Sequence, residues 1–390
     1  MHPRNPDLEA KDLHPKASRI WADLEPLAQH GPITLENITE IPSAYSKING
    51  WQMYFAEVGI IDGRIFLRHN IRVLGWLAAT LKLVKESIER YGKKDLPDVL
   101  FVLSVHDEVL LEKTRFKALP LLSTLTSSAH WDIPIPGQTW FESTGGISSH
   151  GIGQDFSLWE SSEWQSSLET KYPWSERSDK AFFRGHDWSS SNSFTELLKS
   201  RPKENCIPHY DVSMSFPYRR WYAELSSSDL SSFLDVGLTG APDYVKAQYP
   251  QKYVTPVSLP EHAKYKYLLH LDGTSGSNRL LKLLLMGSVV LKQDSIFEEF
   301  FYKDLVPFVH FVPIARDRCS TDNLTSTLEY LRSHDQEAQT IAKAGQRYAR
   351  EHLSRAAAAC YWRRVQSSYA ALQTFHPKSV MNFSEWFEWT

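Results

Sequence analysis

The residues best placed for chemistry lie between Tyr265 and Arg316. An apolar run, Tyr265 to Leu271, ends in the small polar turn Asp272-Gly273-Thr274-Ser275-Gly276-Ser277. Arg279 then opens a Leu-rich stretch with helical spacing (Leu280, Leu283, Leu284, Met286), and a second apolar run follows at Ser288 to Leu291. Strand, small-residue loop, helix and strand in that order can present backbone N–H groups and a helix N-terminus to a phosphate. A guanidinium in the first turn can reach the same anion. The loop matches neither G-x-G-x-x-G nor G-x-x-x-x-G-K-[ST], so no dinucleotide fingerprint or P-loop is present. An ordinary βαβ turn, with Arg279 solvated, accounts for the same spacing.

Other candidates stand at the ends of apolar runs. Asp107 follows Val99–Val105 in SVHDE, where a carboxylate can act as a general base or cap a following helix. His106 beside it reads as core or as support for the carboxylate. Arg184 in FFRG fits a diphosphate or a structural ion pair. His310 in HFVP fits a satisfied core histidine as well as a ligand contact. Asp132 in HWDIPIP lines a pocket or holds a turn. The chain has no H-E-x-x-H, no G-x-S-x-G and no kinase H-R-D with D-F-G. It also lacks Asp-x-Asp, so a departing phosphate would be neutralised by Arg, Lys and helix N-termini.

The elements that must position these groups alternate between strand and helix. Residues 1–30 read as a helical lead-in, and Ile60–Leu67 as a hairpin around Asp62-Gly63. Ile71–Tyr91 reads as an amphipathic helix capped by Gly92. Val99–Val105 reads as a strand buried on both faces of a parallel sheet. Residues 142–170 read as a long loop, Lys180–Arg184 as a strand, Thr195–Ser200 as a helix and 205–260 as irregular. Beyond Asp322 the pattern is helical: to Arg332, then a stripe from Ala338 to Ala349, then about Arg355–Leu372. The aromatic tail, Trp386 to Trp389, docks on the body or caps a groove. Domain limits of 1–170, 171–375 and 376–390 follow.

Composition narrows the class. The 390 residues are 42% hydrophobic and 13% aromatic, which is globular. A net charge of −3 argues against a general nucleic-acid binder. Three cysteines (Cys206, Cys319, Cys360) allow one disulfide or none and form no zinc-spaced pair. No signal-peptide core or apolar stretch of about 20 residues is present. The three sequons at Asn37, Asn323 and Asn382 point only weakly to secretion.

Taken in order, FFRG (182–185), KYKYLLHLDGTSGSNRL (264–280), GSVVLK (287–292), EEFFYKDLVPFVHFVPI (298–314) and CYW (360–362) resemble glycosyltransferase family 90. That family includes the Rumi-type protein O-glucosyltransferases and the fungal capsule-associated-protein xylosyltransferases. The resemblance implies an α/β, GT-B-like fold: two Rossmann-like domains facing across a cleft, with C-terminal helices. It implies inverting transfer from a UDP-sugar (UDP-xylose or UDP-glucose) to a glycan or protein hydroxyl, with no cofactor and no metal. Ser104-Val105-His106-Asp107 matches the family's N-V-R-D, so Asp107 inherits the role of base, with His106 and Ser104 in place of Arg and Asn. Gly273, Ser277 and Arg279 match the G-x-x-x-S-x-R loop for the diphosphate, with Thr274 and Ser275 as further pocket candidates. Arg184 is expected to face the same group. His310-Phe311-Val312-Pro313 stands for H-Y-V-P, and Asp132 matches an H-D-I segment loosely. The family implies the ER or Golgi lumen. The lack of a signal peptide and the three cysteines fit the fungal branch, a truncated chain or a non-secreted relative. An inactive glycan-binding relative and another α/β nucleotide-sugar enzyme are the alternatives.

Overall fold

The computed structural model describes residues 19–46, 55–68, 74–92, 96–140, 156–187, 218–228, 230–240, 243, 253–273, 275–314 and 322–390. The expected helix at Thr195–Ser200, residues 1–18, Thr274, Cys206 and Cys319 lie outside them. The chain forms two compact units: residues 1–142, 297–300 and 355–390, and residues 143–296 and 301–354. Elements are numbered along the chain.

The first unit is built on a mixed sheet. Strands β1 (Phe55–Ile61) and β2 (Arg64–Arg68) form the expected hairpin. Its turn residues, Asp62 and Gly63, both have positive φ (49° and 68°), as a two-residue hairpin turn requires. Strand β3 (Val99–Ser104) is wholly buried, as its unbroken apolar run predicts, but it pairs antiparallel with β1. It is parallel to β4 (Leu121–Ser123), which is parallel to β6 (Ile133–Pro134). The C-terminal β13 (Phe387–Trp389) closes the other edge antiparallel to β2. Short β5 (Thr126–Ser127) pairs with β11 (Phe297–Glu298). This sheet is therefore mixed, unlike the all-parallel sheet expected for Val99–Val105.

Helices α1 (Arg19–Ala28) and α2 (Leu35–Ser46) pack with this sheet, and α3 (Leu74–Tyr91) packs against the last long helix of the chain. The α3 stripe of Leu77, Leu81, Val84 and Ile88 is buried. Gly92, at φ 87°, ends it by donating its N–H to the Ile88 carbonyl at 3.0 Å. The last long helix, α10 (Arg355–Leu372), runs where the periodicity puts it but belongs to this first unit. Three of its side chains bond to main-chain carbonyls there: Trp362 to Pro136 at 3.0 Å, Gln366 to Pro97 at 2.7 Å and Tyr369 to Pro120 at 2.8 Å. These contacts differ from the division at residue 170, which grouped the helix with the second half. The short α11 (Pro377–Val380) leads into the tail.

The second unit holds a five-stranded sheet, every pair parallel: β7 (Ser178–His186), β8 (Leu234–Gly240), β9 (Tyr265–His270), β10 (Val289–Gln293) and β12 (Val312–Ile314). Its spatial order is β12-β10-β9-β7-β8. Counted within the unit this is 2-1-3-4-5, a doubly wound order that reverses direction between its first and third strands. Phe183, Tyr267, Leu269 and Val289 pack against Tyr222 of α6 (Tyr218–Ser226), Leu324 and Leu328 of α8 (Asp322–Ser333) and Ile341 of α9 (Asp335–His352).

Two stretches read as loop or irregular hold regular structure. Helices α4 (Phe156–Glu160) and α5 (Ser162–Lys171) occupy part of the expected 142–170 loop. Trp159, Gln165 and Leu168 anchor them, and the Ser161 hydroxyl caps α5 by accepting the Trp164 N–H. Helix α6 and strand β8 lie within the stretch 205–260. Helix α7 (Leu280–Leu285) has only six residues, and Arg279 precedes it instead of lying in its first turn.

Candidate functional site

In a sheet wound 2-1-3-4-5 the ligand crevice lies beyond the carboxyl ends of the strands, where the winding reverses. Here that point falls between β7 and β9, whose carboxyl ends are His186 and His270. The loop from Asp272 to Arg279 leaves β9 at this point, so Gly273, Ser275, Ser277 and Arg279 are brought to the switch.

Side-chain and main-chain bonds fix the loop. The Gln293 side chain at the end of β10 accepts the Asp272 N–H at 3.1 Å, and Asp272 accepts the Ser295 hydroxyl at 2.7 Å. The Gly273 N–H reaches the Ser275 carbonyl at 2.9 Å. His270 Nε2 donates to the Ser277 carbonyl at 2.9 Å. Burial, reinforced by the Lys292 charge, pulls His270 down to about 3, so it is neutral and can serve as that donor. Ser275 and Ser277 are both buried.

Alternation along β7 sorts the arginines. Phe183 and Gly185 share one face, and Phe182 and Arg184 the other. The Arg279 guanidinium lies 5.3 Å from the Phe183 ring and donates to the Arg184 carbonyl at 2.7 Å. A Cβ on Gly185 would stand 2.9 Å from Arg279 Nη1, so only glycine lets the guanidinium lie here without a shift. Burial lowers Arg279 to about 10, which leaves it charged at neutral pH.

Arg184 has a different setting. Its guanidinium lies over Phe182 at 4.6 Å and pairs with Asp235 at 2.6 Å, and it also donates to the Asp235 carbonyl at 2.9 Å. The Tyr265 hydroxyl donates to the other Asp235 oxygen at 2.5 Å. Arg184 therefore brackets β7 to β8 with its charge matched. Arg184 and Arg279 both act on the buried His262, which burial first and then their charges pull down to about 3.

Arg219, on α6, lies on the Phe183 side of β7 together with Arg279. It is 4% exposed, and its guanidinium lies 5.3 Å from the same Phe183 ring as Arg279. It donates to the carbonyls of His186 at 3.0 Å and Leu271 at 3.1 Å. Burial first, and then the Arg279 charge, lower it to about 9. Its neighbour Arg220 instead forms a buried ion pair with Asp187. Sequence reading missed Arg219 because its stretch carries no strong period; the paired Arg219-Arg220 before an apolar Trp221-Tyr222 was the available signal.

His310 lies elsewhere. It precedes β12, and β12 runs parallel to β10 and β9, so it stands at the amino edge of the sheet, opposite the switch-point loop. There its Nδ1 accepts the Val306 N–H at 3.0 Å and its ring lies 4.8 Å from Tyr348. It is half-buried there, hydrogen-bonded without belonging to the core, and it stands away from the switch-point loop. Thr274 is outside the described residues.

In the first unit, Asp107 stands just past the carboxyl end of β3 with its side chain 56% exposed. No helix follows it, so it caps none. The turn that holds it is stapled by side chains. Ser104 Oγ accepts the His106 N–H at 3.2 Å, and His106 Nδ1 accepts the Glu108 N–H at 3.0 Å. Asp132 accepts the N–H groups of Leu110 at 3.1 Å and Leu111 at 2.8 Å. With Nδ1 accepting, the neutral His106 carries its proton on Nε2, and burial holds it below the ordinary histidine value. Asp132 is buried at 4% exposure, and burial pushes it up to about 6 against the pull of the Leu111 and Leu110 N–H groups. Its carboxylate is spent on this turn, matching the turn-holding alternative. Among the described residues no three or more His, Cys, Asp or Glu are grouped to hold a metal ion, and no helix is long and apolar enough to cross a membrane.

A model of glycosyl transferase family 90 matches residues 17–387. Protein O-glucosyltransferase 1 of Homo sapiens is 29% identical over 286 residues, 72% of this chain and 64% of that protein. Protein O-glucosyltransferase 2 of Danio rerio is 42% identical over 125 residues, 32% of this chain and 24% of that protein. O-glucosyltransferase rumi of Drosophila pseudoobscura pseudoobscura is 29% identical over 284 residues, 72% of this chain and 62% of that protein. The chain thus spans less than two thirds of the length of each of these relatives. A solved structure of Anabaena HepE in complex with UDP-glucose aligns at a TM-score of 0.31 and 13% identity over 56% of each chain, too distant to bear on the site.

Proposed function

The chain belongs to glycosyltransferase family 90, and we propose that it transfers a sugar, glucose or xylose, from a UDP-sugar to a hydroxyl of a protein or glycan. The reading includes the GT-B architecture that the family implies, inversion at the anomeric carbon and independence from metal. Glucose on a protein acceptor is the first expectation, because the relatives from Homo sapiens and Drosophila are named for it. The observation that carries the proposal is the placement of the Gly273–Arg279 loop at the switch point of an all-parallel sheet, where a diphosphate would meet Arg279 and the loop N–H groups.

The step is a single displacement. Asp107 takes the proton of the acceptor hydroxyl. The freed oxygen pair attacks the anomeric carbon from the face opposite UDP, and the bond from that carbon to the phosphate oxygen breaks. UDP leaves with the electron pair. Arg279 and the loop N–H groups stabilise the charge that grows on the diphosphate. Exposure of Asp107 supports its role, since a base must be reachable by the acceptor.

Assay of UDP release from UDP-glucose, UDP-xylose and other UDP-sugars, with candidate acceptors and with EDTA, tests the reading. Donor-selective, EDTA-resistant release is expected. Positioned base catalysis is worth about 10²–10⁴-fold, so Asp107→Asn should lower turnover by that factor while UDP still binds. Normal turnover by Asp107→Asn would remove Asp107 as base, and an active enzyme silenced by EDTA would remove metal independence. A secretory-pathway location belongs to the same reading; a full-length protein that protease digests in sealed microsomes would contradict it.

A further inference from the structure

The turn that leads into β12 is built outward. Val306, Pro307, Phe308 and Val309 are all exposed, and Phe308, at 64%, is the most exposed large apolar side chain among the described residues. Val306 and Val309 stand beside it at 49% and 45%. The base of the turn is nevertheless tightly closed. Phe308 donates its N–H to the Phe311 carbonyl at 2.7 Å, and the N–H groups of Val309 and His310 reach the Val306 carbonyl at 3.2 and 2.9 Å. His310 Nδ1 accepts the Val306 N–H. Phe308 is held there at φ 61°, a left-handed conformation that is unfavourable for a bulky side chain. A single exposed valine needs no explanation. A strained, hydrogen-bonded turn that holds three apolar side chains in water points to a use for them.

The turn lies against the C-terminal half of α9. A Cβ on Gly345 would stand 2.4 Å from the His310 carbonyl oxygen, so only glycine lets the helix backbone come this close. The His310 ring lies 4.8 Å from Tyr348, and Tyr348 lies 5.0 Å from His352. Burial first, and then the charges of His352 and Arg347, hold His310 below its ordinary value, which puts both side chains beside the turn. Lys343, Arg347 and Arg350 are exposed and share one face of α9 by their spacing. Arg350 and His352 also suit a helix C-terminus, but Lys343 and Arg347 lie ahead of the last turn. Among the described residues none of these three cations has a carboxylate partner. The acidic groups beside them are Glu351, which stands 3.9 Å from His352, and Asp304, which follows Lys303 in the chain. The rim of the turn thus keeps a positive excess in a chain whose net charge is −3.

An apolar tip above a basic rim is complementary to one kind of surface, the interface of an anionic bilayer. Apolar side chains enter the acyl boundary there while cations meet the headgroups. We propose that the 306–309 turn is a membrane-docking tip: Val306, Phe308 and Val309 enter the interface, and Lys343, Arg347 and Arg350 face anionic headgroups. The contact is peripheral and reversible, since three side chains bury little area. The inference lies wholly within the second unit and does not depend on the UDP-sugar reading.

The experiment is co-sedimentation of the full chain with vesicles of phosphatidylcholine alone and of an equimolar mixture with phosphatidylserine, at low and high salt, with a thermal melt and light scattering of each protein. Wild type is expected to sediment with the mixed vesicles, less with phosphatidylcholine, and less at high salt. Phe308→Ser should lower binding by about tenfold to a hundredfold, the worth of burying one such ring. Arg347→Gln should lower it about fivefold on mixed vesicles and leave phosphatidylcholine binding unchanged. Phe308→Gly separates docking from folding. Glycine accepts the positive φ, so this variant should melt no lower than wild type and still lose vesicle binding as Phe308→Ser does. Wild type that binds neither vesicle, or Phe308→Gly that binds as wild type does, overturns the proposal. Equal, salt-independent binding to both vesicles overturns the role of the cations. Self-association without lipid that Phe308→Ser abolishes would give the tip to a second copy of the chain and also overturn it.

Discussion

Gly185 shows how a single hydrogen atom sets the position of a guanidinium. A methyl group at this position would stand 2.8 Å from Phe183 Cζ and 2.9 Å from Arg279 Nη1. The guanidinium is the mobile end of a flexible side chain, so it gives way before the backbone does. Gly185→Ala is therefore expected to cost roughly 1–3 kcal/mol of stability, the usual range for overpacking. It should also weaken UDP binding by about tenfold, near 1.4 kcal/mol. UDP titration beside a chemical denaturation curve checks both, and unaltered UDP affinity would mean that Arg279 does not touch the nucleotide. Among the arginines, Arg279 was legible because its loop has a local signature. Arg184 was legible as a diphosphate contact or a structural ion pair; that Asp235 supplies the partner of an ion pair depends on pairing with β8. Arg219 was not legible, because its meaning lies in two carbonyls brought near only by the sheet.

At the scale of elements, the segment after β3 is held by side chains where a helix or sheet would otherwise satisfy its N–H groups. Asp132 satisfies Leu110 and Leu111, so its removal orphans one buried and one half-buried donor. Asp132→Ala is expected to cost about 2–5 kcal/mol and to lower turnover by freeing the turn that carries Asp107. The pH dependence has a definite sign. Burial raises the Asp132 carboxyl from 3.8 to about 6, so the folded state holds this proton more tightly than the unfolded chain does. The associated stability is complete below about pH 4 and is lost as pH rises through about 6, an effect of roughly 3 kcal/mol. Unfolding free energies of wild type and Asp132→Asn across pH 4–7 should therefore differ in slope, with wild type losing more as pH rises; parallel curves would show that the carboxyl titrates normally. Strong periods made α3, α9 and α10 readable. Helix α6 and strand β8 were not, since the edge strand LDVGLTG carries two glycines and an Asp that pack only against partners distant in sequence.

For the whole molecule, the tail is the piece whose place sequence left most open. Trp386 to Trp389 read as docking or capping, and β13 in fact extends the first unit's sheet along β2. Met381 explains why it stays. A Cβ on Gly59 would meet Met381 Cε at 2.6 Å, so the methionine lies flat on the bare glycine and packs with Ile61, Phe66 and Trp386. Arg68 adds a pair with Glu57 at 2.6 Å and one with exposed Glu385 at 3.3 Å. The exposed Arg64–Glu388 pair contributes little, because solvent screens it. Burial of Met381 and its neighbours is thus the main term. Removal of residues 381–390 is expected to destabilise the first unit by about 2–5 kcal/mol and to leave β2 as an open sheet edge prone to pair with another chain. The sheet, α7 and the arginines of the second unit make none of these contacts. UDP affinity should therefore stay within about twofold of wild type while the protein unfolds at lower denaturant and self-associates at high concentration. Denaturation curves, light scattering and UDP titration on the same sample separate the two units, and loss of UDP binding in step with stability would show that the donor site depends on the tail.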